Sequence, residues 1–273
     1  KYILRNCIKE SRRLETTILK NGVSALEIVE KLGNSFNRIS EDIPIEHAVL
    51  KNIIKDTHSS IYDTGNLVPS YLSMIDECIG GFTRKEVSII AGRPGHGKTT
   101  TALNIVLNMV KSGYRVAVMN REMPNAEVMK KFICMHDSSI SYRSLRFGVI
   151  DKITKIKIEK ALKELEELFE DKLFMYDNIR DFATSSKELR RIKPDVVMDD
   201  YVQLIKPLNT SNDRRLQIEQ VVNDYKWLAK SYDMVVLLVS QLNRDIEHRA
   251  DPIPRMSDLS EGGSLEQTAE MIL

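Results

Sequence analysis

The residues best suited to chemistry form a glycine-rich motif in the first half of the chain. Residues 92–99 read G-R-P-G-H-G-K-T, a full match to G-x-x-x-x-G-K-[ST], and they follow the apolar run 87–91. In such a loop, backbone N–H groups face phosphate oxygens, the lysine reaches the β- and γ-phosphates, and the threonine hydroxyl binds Mg²⁺. The predicted nucleotide-binding residues are Gly92, Arg93, Pro94, Gly95, His96, Gly97, Lys98, Thr99 and Thr100.

A helical pattern follows the motif over residues 100–111, with one apolar face and Gly113 just past its end. The N-terminus of that helix would lie under the phosphates and favour their negative charge. The alternative, a glycine-rich turn that matches by chance, is disfavoured by the strand–loop–helix context.

A site of this kind also needs a carboxylate at the end of a neighbouring strand, opposite the threonine that binds Mg²⁺. The stretch 194–200, P-D-V-V-M-D-D, supplies Asp199 and Asp200. Spacing does not choose between them, and we expect the other aspartate to have a structural role.

Two more polar positions follow apolar runs and are expected at the same edge of the sheet. Glu122, after the run 116–119, is the candidate for the base that orients the attacking water. The alternative is a glutamate that only begins a helix near Pro124. Ser240 and Gln241 follow the run 234–239, where a group that senses the γ-phosphate is expected.

Strand and helix patterns alternate from about residue 66 onward, which predicts an α/β fold with a mostly parallel sheet covered on both faces. The predicted strands are 87–91, 115–119, 173–176, 195–199 and 234–240, with a last one beginning at Met271. The stretch 156–171 is highly charged and predicts a helix with a solvated face.

The first part of the chain is helical instead. Residues 1–40 predict short helices that end a separate N-terminal domain. Residues 41–65 predict a linker region whose helix, 44–60, has a single apolar stripe. Helices this short cannot build a core alone, so we expect the stripe to pack on another surface; a helical cap on the main domain, 66–273, is the alternative.

Composition is typical of a soluble cytoplasmic nucleotide enzyme. Lys and Arg total 40 against 39 Asp and Glu, so any contact with nucleic acid must be local. Cys7, Cys78 and Cys134 are far apart, which argues against a disulfide framework or a zinc site. The longest apolar run, 234–239, is far shorter than the ~18 residues that span a bilayer, and no signal-peptide pattern opens the chain. The first residue is not Met, which suggests a fragment.

Two later segments carry a family resemblance. Residues 197–205 read V-M-D-D-Y-V-Q-L-I, and residues 238–272 contain S-Q-L-N-R and D-L-S-E-G-G-S-L-E-Q. These blocks, in this order, resemble the signature segments of the DnaB-type replicative DNA helicases, over roughly residues 60–273.

The resemblance implies a RecA-like fold, a homohexameric ring, ATP hydrolysis at subunit interfaces and 5′-to-3′ translocation on single-stranded DNA. It implies that Asp200 is the acid that binds Mg²⁺ with Thr99, whereas Asp199 occupies a position that is usually apolar. It also implies that Glu122 is the catalytic base and Gln241 the γ-phosphate sensor, acting with Lys98. The linker helix would pack on the adjacent subunit, and a primase and a helicase loader would be partners.

The chain departs from the family pattern in the predicted DNA-binding loop, which comprises Ser260, Glu261, Gly262 and Gly263. Ser260 replaces a common Arg, so we expect backbone N–H groups of the glycine turn to bind the DNA phosphates. Arg214 and Arg215 are the second candidates. The family's Lys and Arg that reach the neighbouring ATP site are expected beyond Leu273, with Arg244 and Arg249 as substitutes.

We therefore interpret the chain as the ATPase motor domain of a bacterial or phage replicative helicase with part of its linker. Two alternatives are a RecA-fold recombinase or repair ATPase, which would form filaments and lack the linker helix, and a non-catalytic loader or regulatory subunit switched by ATP.

Overall fold

The computed structural model describes residue 12 and residues 50–62, 64–208, 213–243, 246, 249, 251, 253–259, 265 and 269–273. The chain divides into two compact units, Lys1–Asp63 and Thr64–Leu273. In the first, helix α1, Leu50–Tyr62, overlaps the linker helix predicted at 44–60. Its large apolar side chains are exposed: Leu50, Ile53, Ile54 and Ile61. Apart from Arg12, which is helical, the helices predicted within 1–40 lie outside the described residues.

The second unit contains a six-stranded sheet in which every neighbouring pair is parallel. Its strands are β3 Val87–Gly92, β4 Val116–Asn120, β5 Leu173–Tyr176, β6 Val196–Asp200, β7 Val235–Gln241 and β8 Met271–Ile272, in the spatial order β5-β4-β6-β7-β3-β8. Two short antiparallel strands, β1 Leu67–Val68 and β2 Phe82–Thr83, form a separate pair.

Helices cover both faces of this sheet, as the sequence predicts. They are α2 Ser73–Ile79, α3 Lys98–Lys111, α4 Asn125–His136, α5 Tyr142–Phe147, α6 Lys152–Phe169, α7 Phe182–Ile192 and α8 Arg214–Tyr232. Helices α3, α4 and α6 share one hydrophobic core with the sheet, and α7 and α8 share the other.

The central strands are apolar throughout because both of their faces are buried. In β4, Val116 and Val118 point into the first core, whereas Ala117 and Met119 point into the second. Burial of each large side chain of this kind stabilises the fold by about 1.5–3 kcal/mol. The sheet is therefore a rigid support for the residues at the ends of its strands.

The charged segment forms helix α6, which begins at Lys152. Its buried side chains are Ala161, Leu165 and Phe169, and the Lys160 ammonium lies 3.6 Å from the Glu164 carboxylate on the exposed side. The predicted solvated face is confirmed. Among the helices that the structure describes, none is long and apolar enough to cross a membrane.

The carboxyl ends of four strands bring polar residues to one edge of the sheet. Gly92 of β3 pairs with Gln241 of β7, and Asn120 of β4 pairs with Asp200 of β6. Because β6 and β7 are also paired, with Asp200 opposite Val239, these residues lie side by side. In an open α/β sheet, ligands bind at this edge.

Candidate active site

The glycine-rich loop connects the end of β3 to the start of α3. Gly95 and Gly97 have φ angles of 80° and 84°, in the left-handed region that side chains with a Cβ rarely adopt. A Cβ on Gly92 would lie 2.8 Å from Lys98 Cγ, so the lysine stem passes directly over this glycine. Gly95 and Gly97 therefore allow the left-handed backbone of the loop, and Gly92 leaves room for the Lys98 side chain.

Lys98 folds back over its own loop. Its Nζ donates a hydrogen bond to the Arg93 carbonyl oxygen at 3.1 Å. Burial lowers the pKa of Lys98, although the negative charges of Asp200 and Glu122 act in the opposite direction. The ammonium thus lies close enough to both carboxylates to feel their charges, at the place where phosphates would enter.

The first turn of α3 presents backbone donors toward the loop. The N–H groups of Lys98, Thr99 and Thr100 belong to the turn that has no intrahelical acceptor, and the positive end of the helix dipole lies there. The Thr100 hydroxyl accepts a hydrogen bond from Lys131 Nζ at 3.3 Å, which adds a second cation. This end of the helix is suited to bind an anion.

Thr99 and Asp200 come together, as the sequence predicts for a Mg²⁺ site. The Thr99 hydroxyl donates to Asp200 Oδ2 at 2.6 Å. Asp200 is only 2% exposed, and burial raises its pKa to about 6, with the charges of Glu122 and Asp199 acting in the same direction. Hydroxyl and carboxylate oxygens are the donors that Mg²⁺ prefers, so this pair fits the ion directly or through water.

Glu122 lies in the turn that follows β4 and is exposed to solvent. Its charge raises the pKa of Lys98, Asp200 and Tyr201, so it lies within electrostatic range of all three. Helix α4 begins only at Asn125, so Glu122 is not part of its first turn. The position fits a base that faces the phosphate loop.

Gln241 lies between the phosphate loop and the end of β6. It is opposite Gly92 in the sheet, and its side chain lies near the Tyr201 hydroxyl. The preceding Ser240 is buried, and its Oγ accepts a hydrogen bond from Gln203 Nε2 at 2.9 Å. The end of β7 therefore lies between the glycine-rich loop and the residues that follow Asp200.

A cleft of about 600 Å³ opens beside the glycine-rich loop. Its walls include Arg93, His96, Lys98 and Thr101 on one side and Leu242 on the other. The volume lies within the range of small-molecule sites and is adjacent to the anion-binding end of α3.

Sequence reasoning missed a buried ion pair behind these residues. Both carboxylate oxygens of Asp199 accept hydrogen bonds from the Arg121 guanidinium, at 2.7 Å each, and the Tyr225 hydroxyl donates to the same carboxylate. The signal available in the sequence was two charged residues, Arg121 and Asp199, each at the end of an apolar run.

The remaining predicted residues have varied environments. Arg249 forms a double hydrogen bond with Asp258, at 2.9 and 2.7 Å, so within this chain it is already bound to a carboxylate. Arg214 donates to the Gln203 carbonyl oxygen. Residues 260–263 and Arg244 lie outside the described residues.

The fold and this site define a P-loop nucleotide-binding protein with a RecA-like sheet. A family model for the DnaB-like helicase C-terminal domain matches residues 68–273. The chain belongs to that family.

Curated relatives agree with this assignment. The chain is 30% identical over 295 residues to the replicative DNA helicase DnaC of Bacillus subtilis (strain 168). It is 29% identical over 291 residues to the replicative DNA helicase DnaB of Geobacillus stearothermophilus. All of the chain is covered in both comparisons, but it spans 62% of the length of each relative.

Solved structures share the fold. A solved ATPase domain superposes with a TM-score of 0.74 at 29% identity, and the match covers 84% of this chain and 83% of that domain. A DnaB-like replicative helicase, solved in a study of its interactions with primase, has a TM-score of 0.70 at 24% identity, and the match covers 99% of this chain and 65% of the helicase. The RecA-like fold predicted from the sequence is confirmed.

Proposed function

We propose that the protein is an ATP-dependent replicative DNA helicase of the bacterial or phage-infected cytoplasm. It acts as a homohexameric ring that translocates 5′ to 3′ on single-stranded DNA and unwinds the duplex at the replication fork. The observation that carries the proposal is the convergence of Lys98, the Thr99–Asp200 pair and Glu122 at one sheet edge of a DnaB-like domain.

The geometry supports hydrolysis of the γ-phosphate of ATP. Glu122 holds the attacking water and takes its proton as the water oxygen bonds to phosphorus, while the bond to the β–γ bridging oxygen breaks. Lys98 and the N–H groups of α3 neutralise the charge that develops on the phosphate oxygens. Mg²⁺, held by Thr99 and Asp200, would supply further positive charge to the β- and γ-phosphates.

We infer that Gln241 passes the state of the γ-phosphate to the rest of the domain. Its side chain lies near the Tyr201 hydroxyl, and the hydroxyl of its neighbour Ser240 accepts a hydrogen bond from Gln203. The Gln203 carbonyl oxygen in turn accepts from Arg214 at the start of α8. We infer that these contacts connect the nucleotide site to Arg214, which with Arg215 is the second candidate for the DNA contact; residues 260–263 remain the first candidate.

Two exposed apolar surfaces support ring formation. One is the stripe of α1, and the other is an apolar cluster that comprises Phe147, Val149, Ile150, Ile153 and Ile156. Exposed apolar groups of this size mark interaction sites in soluble proteins. We propose that a neighbouring copy of the chain covers each surface in the hexamer.

The relatives support the cellular role. Both curated relatives are named replicative DNA helicases, and one solved neighbour was studied with primase. We therefore propose a primase and a helicase loader as partners.

Electron microscopy of the protein with ATP and a forked DNA tests the proposal. Closed six-membered rings that surround one DNA strand are expected. Open filaments along the DNA would indicate a recombinase instead, and nucleotide-dependent assembly without ATP turnover would indicate a loader or regulatory subunit.

A further inference from the structure

A buried polar network lies directly behind the acidic residues of the site. Arg121 donates through Nε and Nη2 to the two carboxylate oxygens of Asp199, and the pair is almost fully buried, at 2% and 0% exposure. Arg121 also donates to Ser185 Oγ at 2.8 Å and to the Ile179 carbonyl oxygen at 3.1 Å. With the Tyr225 hydroxyl on Asp199, the network joins β4, β6, α7 and α8.

Stability alone does not explain this network. A buried ion pair loses its hydration, so replacing both partners by apolar residues is often neutral or stabilising. Burial would lower the pKa of Arg121, but the hydrogen bonds and charge of Asp199 raise it, so the guanidinium remains charged.

The position of the pair suggests its role. Arg121 immediately precedes Glu122, and Asp199 immediately precedes Asp200. The Arg121 N–H also donates to the Asp200 carbonyl oxygen at 2.9 Å, and Asn120 Nδ2 bonds the Met123 carbonyl oxygen across the turn that carries Glu122. A bidentate guanidinium–carboxylate contact has a fixed planar geometry, so it fixes the end of β4 relative to the end of β6.

We propose that Arg121 and Asp199 are positioning residues that hold Glu122 and Asp200 at the separation that hydrolysis requires. This inference rests on the ATPase activity proposed above. Without the pair, the backbone pairing of β4 and β6 remains, but the turn that carries Glu122 loses its side-chain attachment to β6. A displacement of about 1 Å in that turn costs ~10²-fold in rate.

The test compares Arg121→Leu with the double variant Arg121→Leu/Asp199→Leu. The single variant leaves Asp199 buried without its partner and should lower the melting temperature strongly. The double variant removes both charges, so it should have a higher melting temperature than the single variant, although the Tyr225 hydroxyl loses its acceptor. We expect the double variant to bind ATP in EDTA with unchanged affinity, but to lose about 10–100-fold in kcat.

The increase in ATP affinity on adding Mg²⁺ provides a second readout, because it reports the position of Asp200 without requiring turnover. It should shrink by about 10-fold or more in the double variant. If the wild-type protein lacks ATPase activity, the proposed function fails, but this binding measurement still decides whether the pair positions Asp200.

The matched control is Arg84→Leu/Asp195→Leu, which removes a 2.8 Å ion pair near the opposite end of β6. It should leave kcat and the Mg²⁺ effect unchanged. The proposal would be overturned if the folded Arg121→Leu/Asp199→Leu variant had the kcat of the wild type and the same increase in ATP affinity on adding Mg²⁺. The network would then have only a structural role.

Discussion

Lys98 and Glu122 lie at the same edge of the sheet, but their replacement should have different effects on ATP binding and hydrolysis. Lys98→Ala removes the cation that binds the β- and γ-phosphates, so ATP binding and turnover should fall together. Glu122→Gln keeps the shape but cannot take the proton, so the variant should bind ATP normally and hydrolyse it about 10²–10⁴-fold more slowly. Equilibrium binding and single-turnover hydrolysis measure the two effects. Wild-type turnover in Glu122→Gln would remove it from the role of base.

Asp200 makes the stability of the nucleotide-free protein depend on pH. Its folded pKa of about 6 is above the ordinary value of 3.8, so the folded state binds the proton more tightly. Below both pKa values Asp200 is protonated in the folded and the unfolded state, so it does not change the free energy of unfolding. As the pH rises from about 4 to about 6 the unfolded state loses its proton first, and folding is then disfavoured by about 3 kcal/mol.

Asp200→Asn should remove this cost. In the absence of Mg²⁺ and nucleotide, the variant should gain stability relative to the wild type as the pH rises through this window, and the gain should approach about 3 kcal/mol at pH 7. Urea unfolding at several pH values measures the difference. A difference in unfolding free energy that does not change between pH 4 and pH 7 would show that Asp200 titrates normally.

Among the secondary-structure elements, the apolar runs predict the core strands well, but they predict the carboxyl ends of four strands one residue too early. The runs predicted strands that end at residues 91, 119, 199 and 240, whereas the strands end at Gly92, Asn120, Asp200 and Gln241. Each strand extends one residue further than its sequence pattern indicates, because backbone pairing in the sheet continues past the apolar residues. Three of these added residues, Gly92, Asp200 and Gln241, belong to the candidate site.

Other features could not be predicted from one sequence. The spatial order of the strands depends on how the helical connections cross the sheet, and spacing alone did not choose between Asp199 and Asp200. The structure shows why both are present: Asp200 bonds Thr99, whereas Asp199 points to the opposite face and bonds Arg121. Successive residues of a strand face opposite sides, so adjacent aspartates serve different partners.

The apolar cluster at residues 147–156 leads to a prediction about assembly. Ile153 lies in the first turn of helix α6 and is 70% exposed, so a charge there should not disturb the core of the domain. If a neighbouring copy covers it, Ile153→Asp should lower the hexamer population in ATP, because the charge would be buried unpaired. Sedimentation velocity measures the population.

The control for that experiment is Lys163→Asp, an exposed polar position on the same helix. It should leave the hexamer population unchanged, and both variants should bind ATP as monomers with wild-type affinity. Equal hexamer populations in Ile153→Asp and the wild type would place the subunit interface elsewhere.

At the scale of the whole molecule, the charge balance limits how DNA is bound. The formal net charge is +1, so a single subunit has no broad positive field to attract the phosphates. We expect tight binding to single strands only when several subunits each contribute a loop, which makes DNA affinity depend on ring assembly. In this proposal the DNA site, the subunit interfaces and the nucleotide site depend on one another.

The most direct test of the central claim is ATP-driven strand separation, measured by fluorescence on duplexes that carry a 5′ tail, a 3′ tail or both. We predict unwinding that requires ATP, Mg²⁺ and the 5′ tail, and that Glu122→Gln abolishes while it still binds ATP and DNA. ATP hydrolysis without strand separation on any of these substrates, or unwinding that persists in Glu122→Gln, would contradict the proposal that this site drives a DNA helicase.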